Sequence, residues 1–563
     1  MGVFLYSNKT VDASKVAEVF TSRGHKKVTS ENLEESLLVH APKIFVDNVN
    51  FLSGNALGGK NDFILGIGTY FYDGKYGEDA LREVWENLDE VLTENPVYGH
   101  WAFVAHKNET TYIFNDWSGV LRLYYAEQDG KIVVSSSMTA IIATMQNPKF
   151  DRVRLSAFLA GGYGNEIPFV EGLYDVDPMT YLVIKDGGKP EWKKRFASEV
   201  KRIETTEEAV AYVKGLFGEQ MRQLKAIGDE RISIELTAGL DSRLIASNLK
   251  TSGFNYEFLN YPLFGSDAEV SKLIADGLGK RILVQTNEPC TNEQEKHVGE
   301  FDYGFNYLRQ YANPRWKIEN VFQFSGARGE CLDLPDIYSD EDINMMNDPR
   351  PEALLPRLTI RAMMDEGCKK DYEKYIVAEF ERRGFKRDVA MTEQQQVEFG
   401  QILCGQKTGD YMYNSGVQAH IYFYQIYNEW HFNHNITNIA FDAKSGRKLT
   451  LALIKAIDPE LGSYPFVSRR RTKRKSVNET TELPKQYFGY GGIKAMLPKW
   501  VVNKLYERMG RSFSKERFAA IDFDRYRDVV KVDELKRHRN LYSGTLNRMF
   551  SVEVLRKKYG IEN

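Results

Sequence analysis

The sequence predicts an α+β domain built mainly on antiparallel sheet, followed by a parallel, doubly wound α/β domain with a helical C-terminal part. Three observations carry this. Short runs of β-formers, separated by polar or glycine-containing turns, fill the first 200 residues or so. After Ile203 the pattern changes to strands alternating with helices, the signature of a parallel sheet. From about Pro351 onward the apolar spacing is mostly helical.

In the first domain the strand runs are DFILGIGTYF, HWAFVAHK, TTYIFND, KIVVSSS and TYLVIKD. One helix is expected near Glu78–Leu92. The second domain opens with a helix over Thr206–Ala226 and the strand Ile232–Leu236. A turn, a helix (Asp241–Leu249), the strand FNYEFLN, a helix (Asp267–Leu278) and the strand RILVQ follow, and then VFQFSG at Val321–Gly326. Later helices are expected at Glu393–Gln406, Lys448–Ala456 and Asp533–Tyr559, while Ser468–Pro484 is polar, very basic and expected to loop out. The boundary is drawn between residues 1–200 and 201–563.

A chain of 563 residues exceeds one ordinary core. With 42% apolar and 27% charged residues it reads as a soluble globular protein. Its net charge of −3, without long charged tails, argues against a nucleic-acid binder. Cys290, Cys331, Cys368 and Cys404 lie far apart and form no CxxC, which suits a reduced, cytoplasmic protein. The opening MGVFLYSNKT lacks the regions of a signal peptide, and Tyr6 breaks the myristoylation pattern. No stretch approaches the roughly 20 apolar residues of a membrane span, so no membrane partner is expected.

Chemistry concentrates at Leu236-Thr237-Ala238-Gly239-Leu240-Asp241-Ser242. A β-branched strand runs into small residues and then into a helix start. In a parallel sheet the ligand crevice lies outside the carboxyl ends of the strands. Small residues there let backbone N–H groups approach a phosphate, and the helix N-terminus adds donors and partial positive charge. Ser242 can give its hydroxyl to a phosphate oxygen. Asp241 would repel phosphate directly, which implies a bridging Mg²⁺. A turn merely capped by Asp or Ser is the alternative for the hexamer alone.

This segment resembles the SGGxDS pyrophosphate loop of the asparagine synthetase family, with Thr237 for Ser and Ala238 for Gly. Gly265-Ser266-Asp267-Ala268-Glu269 opens a helix ending in Ile274-Ala275…Gly279, which looks like the family's acidic helix. Ser325-Gly326-Ala327-Arg328-Gly329-Glu330 resembles its SGEGGDE motif, with Arg328 for Gly and Glu330 for Asp. In the first domain Gly99-His100-Trp101-Ala102-Phe103 is similar to GDFAF. Asn115-Asp116…Gly119…Leu123-Tyr124-Tyr125-Ala126 is similar to RDxxGxxPLYYA, Ser135-Ser136-Ser137 to SSE, and Gly68–Tyr72 loosely to GEIYN.

The resemblance implies an Ntn-hydrolase-like, class II glutamine amidotransferase domain, then a PP-loop ATP pyrophosphatase domain. A working glutaminase of this family uses a cysteine directly after the initiator Met, with its own α-amine, of pKa about 8, as base. Gly2 stands there, His100 replaces the Asp of GDFAF, and no RGPD segment is visible, so no glutamine hydrolysis is expected. Relatives without that cysteine include β-lactam synthetases and lasso-peptide cyclases. They imply adenylation of a carboxylate with ATP and Mg²⁺, loss of pyrophosphate, and attack by an amine. Asp241 and Glu330 would hold Mg²⁺, and Leu236, Thr237, Ala238, Gly239, Leu240, Ser242, Ser325 and Gly326 would line the nucleotide. A C-terminal lysine that stabilises the transition state has Lys473, Lys475 and Lys485 as candidates. The partners implied are a small-molecule or peptide carboxylate and an amine; a homodimer is compatible with them. Ammonia-dependent asparagine synthesis and a nucleotide-binding scaffold without turnover stay open as alternatives.

Other features weigh less. Gly54–Asn61 imitates a Walker A loop but ends in Asn61 and precedes β-type sequence. Arg469–Lys475 is a dense basic run, either a solvated loop or a lid that neutralises pyrophosphate or meets an acidic substrate. His431 and His434, with His420, are a weak metal signal and fit a packed surface better. The stretch Tyr422–Trp430 reads as core, though Tyr427 or Glu429 could face an acceptor site.

Overall fold

Period-two alternation of apolar residues sorts the first 195 residues onto the faces of two sheets. A computed structural model describes residues 2–33, 36–46, 50–160, 168–260, 265–284, 321–333, 348–353, 363–402, 416–466, 498–508 and 513–562. The first sheet has six antiparallel strands in the order Leu173–Asp175, Tyr124–Gln128, Lys131–Ser135, Val3–Ser7, Ser36–Ala41 and Thr29–Leu33. The second has seven, running Glu191–Lys194, Thr180–Lys185, Thr110–Asn115, Val97–Lys107, Phe63–Tyr72 and Phe51–Ser53, with Lys75–Tyr76 paired off this path to Phe63–Tyr72.

Because successive side chains point to opposite faces, Phe4, Tyr6, Leu38 and Val134 meet Phe63, Leu65, Ala102 and Val104 in one core between the sheets. Their neighbours Val3, Leu5, Val39 and Val133 face the other way, onto the helices Ala13–Ser22, Met138–Ile142 and Arg152–Ala160. Ile64, Trp101 and Phe103 likewise face the helices Gly77–Glu86 and Leu88–Thr93. The result is a helix–sheet–sheet–helix stack. Two glycines make the central pairing of Phe63–Tyr72 with Val97–Lys107 feasible. Gly68 (φ +97°) and Gly99 (φ +111°) occupy the left-handed region, and a methyl on either would strike the carbonyl oxygen of His100 or Thr69 on the opposite strand.

The single helix expected over Glu78–Leu92 is two, broken at Asn87 (φ −107°, ψ 33°), whose Nδ2 donates to the Glu83 carbonyl at 3.0 Å. The first domain also carries more helix than its sequence suggested.

The second region is a five-stranded parallel sheet in the order Ile282–Val284, Tyr256–Asn260, Arg231–Glu235, Val321–Phe324 and Tyr422–Tyr424. The helices Thr206–Leu224, Asp241–Thr251, Gly265–Gly277 and Lys448–Ile457 share its core. The aromatic stretch expected chiefly as core supplies the fifth strand, with the Tyr422 ring stacked on Phe322 at 4.3 Å. That strand also joins the two regions. The Phe423 N–H donates to Thr69 Oγ1 at 3.1 Å, and the same hydroxyl donates to Gln418 Oε1 at 2.7 Å. His100 is fully buried there and accepts the Gln425 N–H on Nε2 at 3.1 Å; burial lowers its pKa to about 4, so it is neutral.

The helix expected over Asp533–Tyr559 is split into Val532–Arg537 and Ser543–Tyr559. Asn503 Oδ1 takes the N–H groups of Asn540 and Leu541 at 2.9 and 3.3 Å, holding the interruption open. Residues from Phe513 to Ile561 pack on the outer face of the first sheet, and Phe150 N–H donates to the Glu562 carbonyl at 2.9 Å. No described helix is long and apolar enough to cross a membrane.

Candidate functional site

The central strand Arg231–Glu235 ends in a segment whose residues alternate between buried (Leu236, Ala238, Leu240) and half-buried (Thr237, Gly239, Asp241). The apolar members anchor the turn, and the polar ones border the crevice at the carboxyl ends of the strands. The strand end is pinned on both sides. Leu236 N–H donates to Leu259 O at 2.8 Å, and Leu236 O accepts from Asn260 Nδ2 at 2.8 Å and from Ser271 Oγ at 3.2 Å.

Two hydroxyls cross-brace the loop. Thr237 N–H donates to Ser242 Oγ at 3.1 Å, the two side-chain oxygens are 3.2 Å apart, and Gly239 N–H donates to Thr237 Oγ1 at 3.2 Å. The helix Asp241–Thr251 starts here with no side-chain cap, so its positive end is not satisfied in the usual way by Ser, Thr or Asp.

The second motif comes from the neighbouring strand Val321–Phe324. Ser325 N–H donates to Tyr424 O at 3.2 Å, and Ala327 N–H and Gly329 N–H close the turn on Ser325 Oγ and Gly326 O, both at 3.3 Å. This turn lies directly on the loop. A methyl on Gly326 would sit 2.7 Å from Ser242 N, and one on Gly329 would collide with the Asp241 side chain, 2.7 Å from Oδ1. Glycine at both positions is what lets two motifs more than 80 residues apart touch. Arg328, where the family pattern has Gly, holds a left-handed backbone (φ +71°). Tyr427 supports the loop from a third element, its hydroxyl donating to Asp241 O at 2.9 Å.

The structure therefore brings Thr237, Gly239, Asp241 and Ser242 together with Ser325 and Gly326. Glu330 follows Gly329 in the 3-10 turn Gly329–Leu332. Its side chain, that of Asp267, the run Arg469–Lys475 and Lys485 lie outside the described residues.

Neither Tyr427 nor Glu429 is open to an acceptor, since both are fully buried. Glu429 accepts from Phe432 N–H at 3.2 Å and Gln220 Nε2 at 3.3 Å, and lies 2.7 Å from His431 Nδ1. Burial alone would raise the Glu429 pKa, but the charge and hydrogen bond of His431 outweigh it and hold the carboxyl below its ordinary range. Burial likewise works to lower His431, and Glu429 reverses the sign and raises it. His431 Nε2 is 2.7 Å from Asn95 O, its ring stacks on Tyr98 at 3.9 Å, and His434 and His420 contact the carbonyls of Ser198 and Gly416 at 2.9 Å each.

At Gly2 the N–H donates to Ala41 O at 2.9 Å. A methyl there would lie 2.7 Å from His25 Cε1, 2.8 Å from Pro42 O and 2.9 Å from Ala419 O, so the position has no room for any side chain. The false Walker segment forms the 3-10 turn Gly54–Leu57 and a further turn between two strands rather than a phosphate-binding helix. Sequence reasoning missed Asn260, Ser271 and Arg243, all within reach of the loop backbone. Asn260 ends its strand with a side-chain donor, a signal that could have been read.

No family model matches the chain, and no curated protein matches it. Among solved structures it is similar to glutamine phosphoribosylpyrophosphate amidotransferase from B. subtilis complexed with ADP and GMP. That likeness has 11% identity over 60% of this chain and 83% of that one, at a TM-score of 0.24. It is also similar to the allosteric regulatory enzyme of purine biosynthesis, with 13% identity over 60% of this chain and 82% of that one, at a TM-score of 0.23. Likeness at this level transfers neither activity nor ligand.

Proposed function

We propose that the chain is an ATP-dependent, AMP-forming amide-bond synthetase that adenylates a carboxylate, releases pyrophosphate and lets an amine or ammonia attack, without hydrolysing glutamine. One observation carries this reading: the Thr237–Ser242 loop and the Ser325–Gly329 turn meet at Asp241 and Ser242, at the carboxyl ends of adjacent parallel strands.

The loop offers what a pyrophosphate needs. The hydroxyls of Thr237 and Ser242 now bond to each other and to loop N–H groups. Rotating either hydroxyl toward a phosphate oxygen trades one hydrogen bond for a charge-assisted one, which is stronger. The uncapped helix start favours the developing negative charge. Asp241 fits Mg²⁺ and not a bare phosphate, because its carboxylate borders the same crevice; the ion would neutralise charge on the departing pyrophosphate.

In the first step a carboxylate oxygen attacks the α-phosphorus and the bond to the bridging oxygen of the β-phosphate breaks. The products are acyl-AMP and pyrophosphate. In the second step the amine adds to the acyl carbon and AMP leaves, with one proton lost from nitrogen. The closed packing around Gly2 supports a nitrogen source other than glutamine, since it leaves no place for a nucleophilic thiol.

The test is pyrophosphate release with MgATP across pooled carboxylates and amines, in the wild type and Asp241→Asn. Carboxylate-dependent release that disappears in the variant supports the reading. Undiminished release in Asp241→Asn, or ATP binding without turnover over the whole panel, sinks it.

A further inference from the structure

We propose that Arg243 is a positioning residue for the pyrophosphate: it fixes the Ala238 peptide of the loop from behind and places beneath it a positive charge that no described carboxylate neutralises. This rests on the reading of Thr237–Ser242 as a pyrophosphate loop. Nothing in the sequence singles Arg243 out, since a charged residue in a helix's first turns is ordinarily solvated.

Here its side chain is 0% exposed. One guanidinium nitrogen donates to Tyr464 O at 2.8 Å; the other donates to Ala238 O at 3.0 Å and to Pro465 O. Every one of these acceptors is a backbone carbonyl, and no carboxylate pairs with Arg243 among the described residues. Burial lowers its pKa to about 10, so the group is still charged near neutrality. A buried cation without an anion is costly, and an apolar side chain of similar volume would fill the space at less cost. What an apolar residue cannot do is orient the loop and lend it charge.

The orientation runs through covalent geometry. In a trans peptide the carbonyl and the following N–H point in opposite directions. Holding Ala238 O on the guanidinium therefore turns the Gly239 N–H the other way, onto Thr237 Oγ1, whose oxygen in turn meets Ser242 Oγ. Guanidinium, peptide, N–H and two hydroxyls form one chain ending at the atoms proposed to hold phosphate.

The far side of the guanidinium is anchored as well. The Tyr464 hydroxyl sits where a methyl on Gly277 would be. Seven residues along the same helix, Lys250 holds Asp458 at 2.9 Å and Glu460 at 2.6 Å. The stretch 458–465 is thus fixed at both ends, and Arg243 is braced against a rigid support.

The experiment titrates inorganic pyrophosphate, MgATP and, as a phosphate-free control, adenosine into the full-length chain and its Arg243→Lys and Arg243→Gln variants, with melting temperatures alongside. Gln keeps a donor and loses the charge. It should weaken pyrophosphate and MgATP about tenfold, the scale of one unit charge across about two helical turns at an effective dielectric near 20, while adenosine binding is unchanged. Lys keeps the charge and should hold pyrophosphate within about threefold of wild type, even at a lowered melting temperature. Wild-type pyrophosphate affinity in Arg243→Gln, or parallel loss of pyrophosphate and adenosine, overturns the proposal. If Arg243→Gln does not fold, Arg243→Lys decides: retained pyrophosphate affinity supports the charge, and a tenfold loss with adenosine intact overturns it. A wild type that binds neither pyrophosphate nor MgATP removes the loop reading itself and this proposal with it.

Discussion

Replacing Gly326 by alanine tests whether the two turns form one site. The added methyl would lie 2.7 Å from Ser242 N and 2.9 Å from its Cα, against the 3.4 Å of ordinary contact. Both obstacles are backbone at a helix start, so neither can rotate away, and the turns must separate by about 0.7 Å. Overpacking of this kind costs about 1–3 kcal/mol. A shift approaching 1 Å in groups that hold a reacting phosphate lowers the rate by up to about a hundredfold. We expect carboxylate-dependent pyrophosphate release to fall about 10- to 100-fold, with a melting temperature lower by a few degrees. Gly215→Ala serves as the control: its methyl meets nothing within 4 Å inside the helix Thr206–Leu224, so it should stabilise the fold by about 0.5–1 kcal/mol and leave release unchanged. Wild-type rate and stability in Gly326→Ala would refute the claim that Ser242 and Gly326 border one pocket.

Two further perturbations probe the surrounding frame. Gly2→Cys should not create a glutaminase; packing against His25, Pro42 and Ala419 should instead lower stability by about 1–3 kcal/mol, measured by denaturant melts, and glutamate released from glutamine would contradict it. His431→Gln should destabilise most between about pH 4.5 and 6.5. The raised His431 pKa gives stability that is complete below 6.5 and lost as pH rises through the folded value; the lowered Glu429 pKa gives stability present above 4.5 and lost as pH falls through its own folded value. Melts at pH 6 and pH 9 should therefore show a larger gap between wild type and variant at pH 6; an equal gap refutes the ion pair.

The turn at Thr237–Ser242 and the alternation of strand and helix around it could be read in advance because they rest on local rules: small residues after a β-branched strand, then a helix start. The strand Tyr422–Tyr424 escaped, because three aromatic residues without flanking alternation look the same in a sheet as in any core. The break in the helix after Arg537 was invisible too, since the group that sustains it, Asn503, lies over 30 residues away. Arg243 shows the same limit from the other side. A first-turn arginine has one appearance in sequence whether it meets water or three carbonyls, and only the tertiary arrangement distinguishes them. The glycines at 326 and 329 were legible as a pattern, but that they serve as the contact surface against Asp241 and Ser242 was not.

The packing of Phe513–Ile561 on the first sheet carries a consequence for how the protein is made. The sheet is complete once Asp175 has left the ribosome, and the helices Ala13–Ser22, Met138–Ile142 and Arg152–Ala160 already lie on its outer face, but the rest of that cover is synthesised some 340 residues later. At about 5–20 residues per second that is a wait of tens of seconds. Throughout it, the apolar surface that Phe513–Ile561 will cover faces solvent or a chaperone. A nascent chain stalled before residue 513 would therefore be a sticky intermediate, however well formed its first two sheets.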